Sequence, residues 1–302
     1  MPIIFKGMQR LIYVLSYPFL WCIAAMPFRL FYFFSDLIFI LVFHLIRYRR
    51  NVVMENLNMA FPLKNNDEIN KIEKEFYRHM CDLFLEAIKT MKISKEDLIE
   101  RFKVVNIEVL NELEKERSIL VLTAHYANWE WSSVVNLMFK TRGYAVYQKI
   151  GNPYFDAWIK RIRSKWNTTL IRQQEMVRTV VRNQDDGVNA LYAVVSDQSP
   201  QWHRAKYWRK FMGITVPVYD SPEILARKFG LAVVFGRISK LKRGYYQLEF
   251  IPIAADGSKT EKHEITDRFF ELTEQCLIDA PPYYLWTHRR WKHRDKVPPE
   301  FQ

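Results

Sequence analysis

Residues 11–28 read LIYVLSYPFLWCIAAMPF, eighteen positions without a charge, with Lys6 and Arg10 before them and Arg29 after. That is close to the ~20 residues a helix needs to cross a bilayer. A second apolar run, 37–46, follows Asp36 and ends at Arg47, Arg49 and Arg50; it is too short to span alone. A secretory signal would close its shorter apolar region with a small-residue cleavage site. Here Ala24 and Ala25 lead straight into Met26, Pro27 and Phe28, and the second run follows. Residues 1–50 are therefore expected to form a retained membrane anchor, flanked by basic residues and carrying Tyr13, Tyr17, Trp21, Phe31, Tyr32, Phe33 and Phe34 for the bilayer–water interface. Pro18 and Pro27 would kink a helix and favour a shallow seat over a crossing. A hydrophobic hairpin buried in a soluble protein is the alternative.

The anchor also bears on how the charge is read. Lys and Arg exceed Asp and Glu by 45 to 33, a net +12, which calls for an anionic partner without naming it. The basic residues gather in three places, 6–50, 203–210 (HRAKYWRK) and 288–296 (HRRWKHRDK), each interleaved with aromatics. Aromatics between cations would suit nucleic acid. A chain held at a membrane meets anionic headgroups and phosphorylated lipid instead, at about 1 kcal/mol per basic residue near the surface, and an acidic carrier protein would dock on the same field. Three cysteines, Cys22, Cys81 and Cys276, are odd in number and far apart, so neither a disulfide framework nor a zinc site is indicated. Reduced thiols, together with the basic residues after the second run, place the rest of the chain on the cytoplasmic side.

Beyond the anchor, apolar residues from Ile69 to Met91 recur at spacings of three and four, the pattern of an amphipathic helix. Asn65 opens this stretch, and Ser94 with Asp97 offers a capping start for a short helix after it. From residue 104 the texture changes. Strand-like runs at 118–124, 144–148, 168–171, 190–195, 231–236 and 245–253 alternate with helical patterns at about 128–139, 153–165, 175–184, 221–229 and 263–278. This alternation predicts an α/β fold, a mixed sheet flanked by helices. No internal repeat and no second domain boundary is evident, so 51–302 reads as one domain.

The segment richest in chemistry is SILVLTAHYANWEW, residues 118–131. An apolar strand runs up to Ala124, His125 follows it, and Asn128 stands where a helix N-cap would. Five residues apart on one regular helix, His125 and Glu130 would face different directions. With His125 in the turn and Glu130 in the first helical turn, the chain can fold the carboxylate back onto the imidazole. A His held by a carboxylate is a general base, and strand ends are where such sheets place catalytic groups. The sequence offers no Gly-x-Ser-x-Gly elbow and no cysteine near His125, so the nucleophilic hydroxyl would belong to the substrate. A His beside a first-turn Glu is also common as plain structure. So is a turn aspartate such as Asp197, or an arginine such as Arg163 on a helix that also bears Lys160, Arg161 and Lys165.

These residues resemble a family. HYANWEW (125–131) looks like the His-x-x-x-x-Asp/Glu motif of the bacterial lipid A biosynthesis (lauroyl/myristoyl) acyltransferases, with Glu130 where many members carry Asp. NVVMENLNMAFP (51–62), NPYFDAWIKRIRSKW (152–166), SDQSP (196–200) and YLWTHRRWKHR (284–294) are similar to further family segments, in the family's order. The resemblance implies a glycerolipid-acyltransferase-like fold. It implies transfer of a fatty acyl chain from an acyl carrier protein or CoA thioester to a hydroxyl of a lipid A precursor or related glycolipid, at the cytoplasmic face of the inner membrane. His125 would take the proton, Glu130 would orient His125, and Arg163 would serve the oxyanion or an acceptor phosphate. Asn128, Asp197 and Arg204 are the candidates for substrate contact. No metal and no cofactor beyond the thioester is expected. A glycerophospholipid or amino-acid lipid as acceptor, and a non-catalytic membrane-anchored binding protein, are the alternatives; metal-assisted hydrolysis is disfavoured because neither His-Glu-x-x-His nor a second nearby His accompanies His125.

Overall fold

The computed structural model describes residues 3–139 and 141–302. The helices are α1 (Ile3–Ala25), α2 (Phe28–Ile40), α3 (Arg50–Ala60), α4 (Asn66–Lys89), α5 (Lys95–Arg101), α6 (Glu108–Glu114), α7 (Pro153–Arg163), α8 (Met176–Asp185), α9 (Ser221–Phe229) and α10 (Glu264–Asp279). The strands are β1 (Phe102–Val104), β2 (Ile119–Thr123), β3 (Arg142–Tyr147), β4 (Thr168–Arg172), β5 (Ala190–Val195), β6 (Tyr207–Phe211), β7 (Ile214–Val218), β8 (Ala232–Lys242) and β9 (Tyr245–Ala254).

Seven strands form one mixed sheet in the order β1-β9-β8-β2-β5-β3-β4, and β6 and β7 form a separate antiparallel hairpin. Within the large sheet only the β8–β9 pair is antiparallel. Every residue of β2 is buried, as its unbroken apolar run requires of a strand covered on both faces. Its parallel register with β5 runs from Ile119 opposite Leu191 to Thr123 opposite Val195. The α/β architecture and most element positions follow the sequence periodicities. The β6–β7 hairpin does not, because its turn, Met212 and Gly213, interrupts a run dense in charge and aromatics.

Helix α4 starts as its sequence implies. Asn65 Oδ1 accepts the Glu68 backbone N–H at 3.0 Å while Glu68 accepts that of Asn65, a reciprocal capping box. Ser94 caps α5 through Asp97 N at 3.0 Å. The helix expected at 128–139 is instead a 3-10 helix, Trp131–Leu137. A three-residue winding stacks positions i and i+3, and Trp131 and Val134 are both wholly buried on that face.

The N-terminal elements divide differently from the apolar runs. Helix α1 continues through Pro18, and the break falls at Met26 and Pro27. Helix α2 continues through a π-helical turn, Leu41–Ile46, so that Phe28–Ile46 is one rod of 19 residues, long and apolar enough to cross a membrane. It nevertheless lies against α4 with Phe31, Ser35, Phe39 and Phe43 buried at four-residue spacing. Polar groups fasten this face. Ser35 Oγ donates to Asp82 at 2.7 Å, and Arg243, in the β8–β9 turn, bridges Asp36 at 2.8 and 3.0 Å and Asp82 at 2.7 to 3.1 Å. Lys89 donates to the carbonyl oxygens of Ala24 and Met26, closing the end of α1. The opposite faces present Leu11, Leu15, Phe19, Phe33, Leu37 and Leu45 to solvent.

Candidate active site

Parallel pairing of β2 with β5 brings two strand ends together. Ser196 N donates to Thr123 O at 3.1 Å, and two residues past the last paired positions stand His125 and Asp197. The His125 backbone N–H donates to Asp197 Oδ1 at 3.1 Å, and its ring Nδ1 meets the same oxygen at 2.7 Å. With Nδ1 protonated toward the carboxylate, Nε2 is left as an acceptor, and the Gln198 amide donates to it at 3.4 Å. Trp129 packs edge-on to the ring at 5.1 Å between centroids.

Burial alone would lower the imidazole pKa, but the Asp197 charge and hydrogen bond, with Glu130 adding and Arg163 opposing, raise it above 6.5. For Asp197, burial works upward and the His125 contacts outweigh it, so its pKa falls below 3.8. The dyad is thus arranged to stabilise an imidazolium once a proton arrives.

Glu130 does not hydrogen-bond His125. Arg163, at the end of α7, takes the Glu130 carboxylate with both Nε, at 2.9 Å, and Nη2. This is bidentate fork geometry, which aims both groups. The expected role of Glu130 as the partner of His125 therefore passes to Asp197: the tight turn at 125–127, with Ala127 at φ +50°, sends the imidazole toward β5 while Glu130 continues toward α7. Burial pulls the Arg163 pKa down and the Glu130 carboxylate more than restores it.

His125, Trp129, Glu130, Arg163 and Gln198 line a cavity of about 1240 Å³. The cavity runs across the sheet, with Val146 of β3, Leu170 of β4, Val194 of β5, Ile238 of β8 and Leu248 of β9 among its apolar lining. This exceeds the roughly 300–1,000 Å³ of an ordinary small-molecule pocket. The imidazole and the Glu130–Arg163 pair thus face a cavity whose lining is apolar in large part.

Three sequence candidates stand elsewhere. Asn128 is wholly buried and absent from the cavity wall. Its Oδ1 accepts the Trp131 N–H at 3.0 Å, the N-cap its position suggested, and its Nδ2 donates to Glu86 at 2.7 Å, so both polar atoms are engaged inside the protein. Asp197, 1 % exposed, faces His125 and not the cavity. Arg204 lies exposed on a short turn, Trp202–Arg204, outside the cavity wall, because the 3-10 turn carries it past the strand end.

Two residues not singled out from sequence complete the surroundings. His288 Nε2 accepts from Ser199 N at 3.3 Å, and burial, aided by Arg290 and Lys292, holds its pKa down to about 4, so it is neutral. Arg290, wholly buried over the rings of Phe211 and Phe270, donates to Ser199 Oγ at 3.0 Å. The segment carrying WTHRRW thereby clamps the turn after β5 that holds Asp197. Both lie in the motif at 284–294 and in the basic run 288–296, which named the segment without separating these two from their neighbours.

A family model described as bacterial lipid A biosynthesis acyltransferase matches residues 5–293. The chain is 21 % identical over 293 residues to a lipid A biosynthesis lauroyltransferase of Escherichia coli (strain K12), covering 93 % of this chain and 91 % of that protein. It is 22 % identical over 279 residues to a lipid A biosynthesis palmitoleoyltransferase of the same strain, covering 91 % and 89 %. The same figures hold for a lipid A biosynthesis acyltransferase of Shigella flexneri.

Proposed function

The chain belongs to the bacterial lipid A biosynthesis acyltransferase family and is an acyltransferase; from that premise we propose that it moves a fatty acyl chain from an acyl carrier protein or CoA thioester to a hydroxyl of a lipid A precursor. The observation that carries this reading is His125, held by Asp197 at 2.7 Å and facing a cavity of about 1240 Å³ with a largely apolar lining.

His125 Nε2 takes the proton of the acceptor hydroxyl while Asp197 stabilises the charge forming on the ring. The acceptor oxygen attacks the thioester carbonyl carbon, and the carbonyl electrons move onto its oxygen. Arg163, aimed by Glu130, supplies a fixed donor for that oxyanion. As the intermediate collapses the carbon–sulfur bond breaks, and the thiolate leaves with the proton held on His125. The apolar part of the cavity receives the acyl chain.

In this reading residues 1–50 bind the cytoplasmic face of the inner membrane and 51–302 carry the chemistry. The two N-terminal helices lie in the interface and do not cross it. Their exposed apolar faces would enter the acyl region while Asp36, Ser35 and Tyr32 keep their partners on the domain; a crossing would strand Asp36 and Arg243 without each other.

The test is complementation of cells lacking the gene, read by mass spectrometry of their glycolipids. Wild-type protein should restore one acyl chain, and His125→Ala, expressed at equal level, should not. Restoration by His125→Ala would overturn the assignment of the base, and an unchanged glycolipid with an altered phospholipid would overturn the acceptor.

A further inference from the structure

Between His125 and Glu130 the chain makes a sharp excursion whose middle is pinned from below by one carboxylate that touches no substrate-facing group. Glu86, on α4, is wholly buried. Its Oε1 accepts from Tyr32 Oη at 2.7 Å, and its Oε2 accepts from Tyr246 Oη at 2.8 Å and from Asn128 Nδ2 at 2.7 Å. The three donors come from α2, from β9 and from the loop itself. Asn128 has no freedom to turn around, because its Oδ1 is already taken by the Trp131 N–H at 3.0 Å. The Glu86 carbonyl oxygen also accepts from Trp131 Nε1 at 3.1 Å.

A carboxylate buried among neutral donors is unusual. Burial, with Asp82 nearby, pushes the Glu86 carboxyl up to about 7, and the Tyr32 hydroxyl, the Lys240 charge and the Tyr246 hydroxyl oppose this. The surroundings are built to keep an acceptor at this point. At the β8–β9 turn Gly244, at φ +74°, leaves room for Tyr32: a Cβ there would collide with the Tyr32 hydroxyl. An apolar side chain at position 86 would strand three buried donors.

We propose that Glu86 is a positioning residue for the acyl transfer: seated by Tyr32 and Tyr246, it holds Asn128 and thereby sets how the 125–130 loop presents His125 and Glu130. The apolar helix α2 is tied to the catalytic loop through this one carboxylate. The inference rests on His125 being the base.

The experiment is a charge-swap cycle on the full-length protein, reading kcat, KM and Tm with a fatty acyl thioester of coenzyme A and a glycolipid acceptor. Asn128→Asp keeps the cap on Trp131 but removes the amide donor to Glu86 and leaves two carboxyl groups face to face. It should lower kcat about 10²-fold, the scale of a sub-ångström to ångström misplacement of reacting groups, with KM for the thioester changed by less than about threefold. Glu86→Gln alone can still present an oxygen to Asn128 but turns an N–H toward another donor, and should lower kcat by less than Asn128→Asp does. Combining Glu86→Gln with Asn128→Asp lets the new amide on α4 donate to the new carboxylate in the loop, and this double variant should recover most of the lost kcat. Full kcat in Asn128→Asp, or no recovery in the double variant, overturns the proposal. If Asn128→Asp lacks a cooperative thermal transition, Tyr246→Phe decides: a several-fold lower kcat supports the role and an unchanged one refutes it. Loss of transfer in His125→Ala alongside an unperturbed Asn128→Asp would refute this inference alone, whereas transfer by His125→Ala refutes the reading beneath it.

Discussion

Replacing Asp197 by Asn should remove a charge and little else. Both His125 donors, the backbone N–H and ring Nδ1, converge on the same oxygen, Oδ1. An asparagine keeping its carbonyl there preserves the ring orientation and tautomer, so the loss reports how strongly the negative charge favours the imidazolium. With an effective dielectric of about 20, opposite charges at the observed 2.7 Å attract by about 6 kcal/mol, which is a ceiling. General base catalysis is worth about 10²–10⁴ in rate, or about 2.7–5.4 kcal/mol at 1.36 per decade, and lies below that ceiling. We therefore expect kcat/KM to fall by roughly 10²–10⁴. The base must be unprotonated, and the raised pKa places the acid limb of kcat/KM above 6.5 in the wild type. Without the charge, burial remains as the principal influence and the limb should move below 6.5. Initial rates of thiol release with excess glycolipid acceptor, measured across this pH range, would show both effects. A variant within about threefold of wild type, or one with an unmoved acid limb, refutes the assignment of Asp197. Stability has its own sign. The raised His125 pKa contributes fully below 6.5 and is lost as pH rises through the folded value, and the depressed Asp197 pKa contributes fully above 3.8 and is lost as pH falls through the folded value. The Tm difference between wild type and Asp197→Asn should therefore be largest between pH 3.8 and 6.5.

Arg163→Ala leaves the largely buried Glu130 carboxylate without its fork partner; kcat should fall by about 10²–10³, the loss for an oxyanion donor, while KM for the acceptor changes little. Gly143→Ala would drive a methyl into the Asn136 side-chain amide against the wall of the cavity. A loss of about 1–3 kcal/mol is expected, read by denaturant unfolding, and a neutral result would show that Asn136 swings freely. Val146→Trp narrows the apolar part of the cavity and should shift preference toward shorter acyl thioesters in a competition assay; an unchanged preference would place the chain elsewhere. Phe19→Asp with Phe33→Asp, both at exposed positions, should abolish flotation with anionic vesicles and leave Tm unchanged, and retained flotation would refute interfacial seating.

Features that depend on neighbours a few residues away were open to reading from the chain alone. The Ser94 cap, the amphipathic α4, the alternation of apolar strands with helices, and His125 at the end of a buried strand all express local periodicity or local hydrogen bonding. The spacing of His125 and Glu130 was equally legible, yet it pointed to the wrong partner. The imidazole's carboxylate lies 72 positions away and is selected by the parallel register of β2 and β5, which sets Thr123 opposite Val195. The fate of Glu130 is likewise decided by α7 arriving with Arg163. The apolar N-terminus shows the same division: its composition announced an apolar surface, but Arg243, 207 positions beyond Asp36, meets both Asp36 and Asp82 and fastens α2 to the domain. One-dimensional pattern reports which side chains leave water. Which buried polar groups then find one another depends on strand order and helix docking, because a desolvated charge is stable only where the fold delivers its partner.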